Sequence, residues 1–269
     1  MTTAINAAQN PDLVNSMVSE AIASTEKKQG PVTIVPPSET VVTLPGGYVN
    51  SAGDVITEVE VRELNGKDEE AIARSTSMGK ALLTILSRGT VKIGDVKATE
   101  DMLNGLLSGD RDAIMLGIYR ATFGPTTTIN GVCPGCNTFK EVDVNIDEDI
   151  KVRPLVDESL RRFTVDCKVG EVVVTLPTGH VQKELINNSE KSVSELTTIL
   201  LENCVLTING APVINKLQVQ NLGINDRKMI AEAITENNIG PLFDDIKVQC
   251  PDCESEVTVP INLGNLFRF

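Results

Sequence analysis

Tryptophan is absent from the 269 residues, and there are only two tyrosines, six phenylalanines and one histidine. Each scarcity removes a class of function. Few aromatic side chains means few platforms on which bases can stack. The one histidine, in Thr178-Gly179-His180, supports neither a Ser-His-Asp arrangement nor an H-E-x-x-H metal helix, and it reads as a surface or capping residue in a turn. Cations are in the minority: 24 Lys and Arg against 37 Asp and Glu, a formal net charge of −13. That balance repels phosphate backbones and anionic membrane surfaces, so neither nucleic acid nor membrane is an expected partner. No run approaches the roughly 20 apolar residues of a membrane span, and the N-terminus lacks the charged-then-apolar pattern of a secretory signal. A protein made and kept in a cytoplasm is expected. Gly46-Gly47 and the stretch Gly105 to Gly109 lack the spacing of a phosphate-cradling loop. The acidic clusters Asp68-Glu69-Glu70 and Asp147-Glu148-Asp149 read as a helix start and a solvated loop. No small-molecule substrate and no enzyme activity are expected.

What the chain does have is two C-x-x-C turns, Cys133-Pro134-Gly135-Cys136 and Cys250-Pro251-Asp252-Cys253, far apart in sequence. Each is entered from a short β-prone run (126–132 and 246–249) and left through another (138–146 and 254–261). A C-x-x-C tip between two strands points its sulfurs and several backbone N–H groups at one spot, and two tips supply the four thiolates of a tetrahedral zinc site. Cys133, Cys136, Cys250 and Cys253 are therefore expected to hold one structural Zn²⁺ as a zinc ribbon closed across the chain. Softness and geometry suit iron in such a site as well. Two other readings compete: local disulfides or a redox pair, which would prefer a strand-to-helix turn, and four unconnected buried thiols. The remaining cysteines, Cys167 and Cys204, fall in apolar strand and helix patterns and read as reduced core thiols.

The expected fold class is α+β. Residues 1–40 read as an extended N-terminal arm. Asn10-Pro11 starts an amphipathic helix with Leu13, Val14, Met17, Val18, Ala21 and Ile22 on one face, and a Pro/Gly-rich linker around Val32-Thr33-Ile34-Val35 can add as a strand to another sheet. The helix face needs a partner, either a neighbour or the protein's own body. Residues 41–125 form a mainly helical region. It holds a β segment turning at Leu44-Pro45-Gly46-Gly47-Tyr48, a strand over 55–64, a helix from Asp68 to Arg88, a short helix capped by Thr99, and a central helix over 111–123 capped by Asp110. Residues 126–262 form the α+β region closed by the zinc clip. It contains a hairpin over 163–176, helices over 192–204 and 225–236, and a hairpin turning at Asn209-Gly210. Residues 263–269 are a short apolar tail expected to dock on the core or on a neighbour.

Several of these stretches together resemble the baseplate protein family of contractile-tailed phages related to the T-even phages. They are Leu44-Pro45-Gly46-Gly47-Tyr48, the run Val59 to Glu70 with its Val-Arg-Glu-Leu-Asn-Gly core, and Leu106-Leu107-Ser108-Gly109-Asp110-Arg111 leading into Leu116 to Gly124, followed by the two C-x-x-C turns. The resemblance runs from about Val41 to Val259. It implies a non-catalytic structural or assembly component of the tail baseplate, near the central hub, in the virion and in contact with other tail proteins. Within that family a transient hub-assembly chaperone is the alternative. Outside it, a zinc-ribbon transcription adaptor or a C-x-x-C redox protein remains.

Overall fold

The computed structural model describes residues 40–267; the expected arm helix, the Val32-Thr33-Ile34-Val35 segment and the last two residues lie outside that range. β1 (Val41–Val49) and β2 (Val55–Val61) pair antiparallel. Their alternation sends Val42, Leu44, Val59 and Val61 to one buried face. The register shifts between Thr43 and Tyr48, where the Pro45-Gly46-Gly47 stretch bulges and Gly47 takes φ +79°. Asn65 then caps α1 (Gly66–Ala73): it accepts from the N–H groups of Lys67 and Asp68, while Asp68 accepts from the Asn65 N–H. The single helix expected from Asp68 to Arg88 is interrupted after Ala73 and resumes as α2 (Met78–Gly89). The hydroxyl of Ser77 accepts from the Lys80 N–H, so the run Ser75-Thr76-Ser77 has a local alternative to helical bonding.

β3 (Thr90–Ile93) and β4 (Val96–Lys97) turn at Gly94, φ +58°, and complete a sheet of order β1-β2-β3-β4. The first region is thus helix-rich but also carries a full sheet. Charged Lys92, Asp95 and Lys97 leave too little apolar alternation for this hairpin to be read from sequence. α3 (Glu100–Gly105) is capped by Thr99 as expected, and α4 (Ser108–Phe123) follows after a break at Leu106-Leu107. Asp110 is not the cap of α4, since Leu107 occupies that position. It sits inside the first turn, fully buried, and its Oδ1 accepts from the N–H groups of Gly46 at 2.6 Å and Gly47 at 3.3 Å. α4 is the central element, burying Ala113, Ile114, Met115, Ile118 and Tyr119. The sheet presses directly on it, for a Cβ on Gly117 would lie 2.1 Å from Val42 Cγ2.

β5 (Thr126–Val132) and β6 (Phe139–Asn145) form the first cysteine hairpin. The acidic stretch expected as loop is one helical turn, α5 (Ile146–Asp149), capped by Asn145. β7 (Lys151–Arg153) and a 3-10 turn (Glu158–Arg161) lead to β8 (Arg162–Cys167) and β9 (Gly170–Thr175). Arg161 donates to the carbonyls of Gly46 at 2.6 Å and Gly47 at 3.0 Å, so the β1 bulge is held by Asp110 and by Arg161. Next come α6 (Gly179–Asn187), α7 (Val193–Cys204), β10 (Val205–Ile208), β11 (Ala211–Pro212), α8 (Lys216–Gln220) and α9 (Ile224–Glu236). The β10–β11 turn has Asn209 at φ 50° and Gly210 at φ 77°, the conformation that favours this residue pair.

Two hydrophobic cores result. One joins the first sheet and α4 to Ile129, Val142, Val144, Val257, Val259 and Ile261 of the cysteine hairpins. The other lies under the sheet β11-β10-β9-β8, with Val172, Val174, Leu201, Cys204 and Ile230. Cys167 packs against this second core, and both it and Cys204 are free thiols. β12 (Gly240–Leu242) pairs with β7 and returns the chain to the first core, where β13 (Ile246–Gln249) and β14 (Glu256–Val259) form the second cysteine hairpin. The tail docks on this same body: α10 (Leu263–Leu266) ends in a buried Phe267 whose ring stands edge-on to Tyr119 at 5.4 Å.

Candidate metal centre

The two C-x-x-C turns fold alike. In the first, the N–H of Cys133 donates to Thr138 O at 3.0 Å and that of Asn137 to Cys133 O at 2.9 Å. In the second, Cys250 donates to Ser255 O and Glu254 to Cys250 O, both at 2.9 Å. Each turn closes through a left-handed residue just after its second cysteine, Asn137 at φ 55° and Glu254 at φ 59°. Asparagine tolerates that conformation well, whereas glutamate rarely adopts it and costs about 1 kcal/mol there. Both knuckles therefore present their cysteines from the same constrained geometry.

Packing of β14 on β5 brings the knuckles together. Val257 and Val259 lie so close over Gly131 that a Cβ there would meet them at 3.0 Å and 2.8 Å. As a result the sulfurs of Cys133, Cys136, Cys250 and Cys253 all lie within 4.8 Å of one another. Across the knuckles Cys133 Sγ is 3.4 Å from Cys253 Sγ, and Cys136 Sγ is 3.8 Å from Cys250 Sγ. Zinc–sulfur bonds of about 2.3 Å in a tetrahedron place sulfurs about 3.8 Å apart, so the set has the size a thiolate-bound metal needs. All six cysteines are unbridged. Cys133 and Cys250 are buried and Cys253 is exposed, so the centre sits at the rim of the first core.

The chemistry of the donors fits the same group. The hydroxyl and backbone N–H of Ser255 draw the Cys253 thiol down to about 6, and Thr138, whose Oγ1 lies 3.0 Å from Cys136 Sγ, lowers Cys136. At Cys133 the Cys136 backbone N–H favours the thiolate, but burial and the adjoining Cys253 sulfur outweigh it and push the thiol up to about 11. Neighbouring thiolates repel one another, and a bound cation removes that conflict and deprotonates the whole set. Lys140 on β6 donates to Asp252 in the second knuckle and tethers the two hairpins. Asp252 holds its ammonium above the ordinary lysine range, with the charges of Cys250 and Cys136 adding to the effect. Gly135 leaves no room for a side chain: its Cβ would stand 2.2 Å from Ser255 Oγ and 2.9 Å from Cys253 Sγ. When bound, a four-thiolate metal has no open position for substrate and serves as a cross-link.

The other positions singled out in the sequence lie elsewhere. His180 is exposed in the first turn of α6, a helix that sequence reasoning missed. Asp68 is buried, bonded by Arg62 at 2.7 Å and Arg88 at 3.2 Å. Sequence reasoning also missed that Asp110 clamps the β1 bulge; the signal available was the unusual placement of a charged residue in a segment otherwise apolar nearly all round. No described helix is long and apolar enough to cross a membrane.

Comparison with curated proteins and with solved structures gave no match. A family model described as T4 bacteriophage base plate protein matches residues 38–177. That span runs from β1 through β9 and includes the first knuckle, Cys133 and Cys136, but stops short of Cys250 and Cys253. It covers just over half of the chain and takes in the Leu-Pro-Gly-Gly-Tyr, Val-Arg-Glu-Leu-Asn-Gly and Gly-Asp-Arg segments. On that match, the chain belongs to the T4 bacteriophage base plate protein family.

Proposed function

We propose that the protein is a structural or assembly component of a contractile phage tail baseplate, placed at the hub and held by neighbouring tail proteins in the virion. The observation that carries this reading is the family match over 38–177. Baseplate proteins of this family are non-catalytic, and no catalytic motif is present among the described residues. In this reading Cys133, Cys136, Cys250 and Cys253 bind one Zn²⁺ that fixes the two hairpins against the first core. The first forty residues bind neighbouring tail proteins through their apolar helical face or their β-prone segment.

Quantitative mass spectrometry of purified particles and of assembly intermediates tests the role. A fixed copy number in mature tails is expected. Presence in intermediates with absence from mature tails would make the chain a transient hub chaperone, and absence from both would overturn the reading. Elemental analysis with thiol counting tests the site: one zinc per chain with six free thiols is expected. One iron would change the metal, and missing thiol pairs without metal would establish disulfides.

A further inference from the structure

Arg111, in the first turn of α4, is only 3 % exposed, yet its Nε and Nη1 have no hydrogen-bond partner. Burying guanidinium donors without hydrogen bonds is costly, and the adjacent Asp112 offsets only the charge and leaves these two donors unbonded. Gly179, at the start of α6, lies against the group so closely that a Cβ there would be 2.0 Å from Nη1. Arg111 lines two clefts. One, of about 290 Å³, is walled by apolar side chains such as Leu82, Met115 and Leu185, together with Asp112 and Gln182. The other, of about 250 Å³, lies among α2, α3 and α6, with Arg88, Lys183, Asn104, Thr84 and Ser87 in its wall.

We propose that this second cleft is an oxyanion site that takes one phosphate or carboxylate group on Arg111. The charges around it support this. Three cations, Arg88, Arg111 and Lys183, line the cleft with a single acid, Glu100, in a protein of net charge −13. Glu100 is engaged by Lys183. Arg88 shares the carboxylate of Asp68 with Arg62. Asp112, the chain neighbour of Arg111, is its electrostatic partner and lines the apolar cleft, not this one. A guanidinium offers a planar fork of donors that matches the oxygens of either anion, and Ser87 supplies a further polar group.

The test is thermal unfolding of the full chain in phosphate, acetate or chloride at constant ionic strength, comparing the wild type with Arg111→Met. Methionine keeps much of the volume and removes the buried charge, so this variant is expected to fold at least as stably in chloride. In the wild type, phosphate or acetate at about ten times its half-saturating concentration is expected to raise the midpoint by about 3 °C over chloride. Whichever anion acts identifies the source, and Arg111→Met loses the response. Should Arg111→Met not fold, Lys183→Met, at the cleft mouth, is expected to weaken the half-saturating concentration about threefold. No response in the wild type, an equal response in Arg111→Met, or an unchanged response in Lys183→Met would overturn the proposal.

Discussion

Asp110 holds the β1 bulge with one carboxylate oxygen, and removing it strands the N–H groups of Gly46 and Gly47 in a buried site. Asp110→Ala is expected to cost about 2 kcal/mol of stability in urea unfolding at pH 7. A change below about 0.5 kcal/mol would mean that water reaches the turn and replaces the carboxylate. Asp68 makes a pH-dependent prediction. The Arg62 guanidinium, opposed by burial and helped by Asn65 and Arg88, holds its carboxyl down at about 2, against an ordinary 3.8. The folded pKa lies below the unfolded one, so the stabilisation is full above about pH 4 and disappears as the pH falls towards 2. Its arginine partners are partly exposed, which weakens the interaction through solvent. Asp68→Asn is expected to lose about 1–2 kcal/mol at pH 7, with the gap to wild type closing between pH 4 and 2 in a denaturation series. The helix-start role of Asp68 was legible in sequence. Its ion pairs were not, because Arg88 is brought to it only by the turn between α1 and α2.

At the scale of the element, the knuckles were the most legible part of the chain. The strand at 246–249 and the hairpins over 163–176 and at Asn209-Gly210 lie where local pattern placed them. Tight turns carry their own signals in Cys, Pro, Gly and Asn, and a strand needs only alternation to be recognised. α6 and the β3–β4 hairpin went unread because their local propensity is weak and their stability comes from neighbours: Gly79 of α2 packs on Ile186 of α6, and β3 is aligned by β2. Gly135→Ala probes the knuckle itself, since the added methyl collides with Ser255 and Cys253. Metal affinity, measured by competition with a chromophoric chelator, is expected to fall at least about tenfold while the far-ultraviolet spectrum is retained. An unchanged affinity would show that the second knuckle can shift without losing its ligand geometry.

Across the whole molecule, the four-cysteine cluster lies between two hairpins that both belong to the first core, while the second core lies in the chain between them. Stripping the metal proposed for this cluster is therefore expected to act unevenly. Amide exchange should rise in β5, β6, β13 and β14 and around Phe267, with β8, β9 and β10 staying protected, and the first unfolding midpoint should fall by about 5–10 °C. Uniform loss of protection would mean that the two cores unfold as one. At the same scale, deleting residues 1–38 is expected to weaken binding to tail proteins in pull-down from assembly extracts. Undiminished binding would remove the arm from the interface.

The bare sequence was enough for the acidic character and for the two cysteine turns as a pair of sulfur donors, and its Leu-Pro-Gly-Gly-Tyr and Gly-Asp-Arg segments carried a resemblance to a baseplate family that the family match bears out. These features are compositional or local, and a residue's type and near neighbours specify them. Folding alone put Cys253 3.4 Å from Cys133, turned Asp110 from an expected helix cap into a clamp on a distant bulge, and enclosed Arg111 with its Nε and Nη1 unbonded. Each of those depends on which segments meet across long stretches of chain. That choice is made by the close packing of α4 against the first sheet and of β14 against β5, where a single methyl group at Gly117 or Gly131 would not fit.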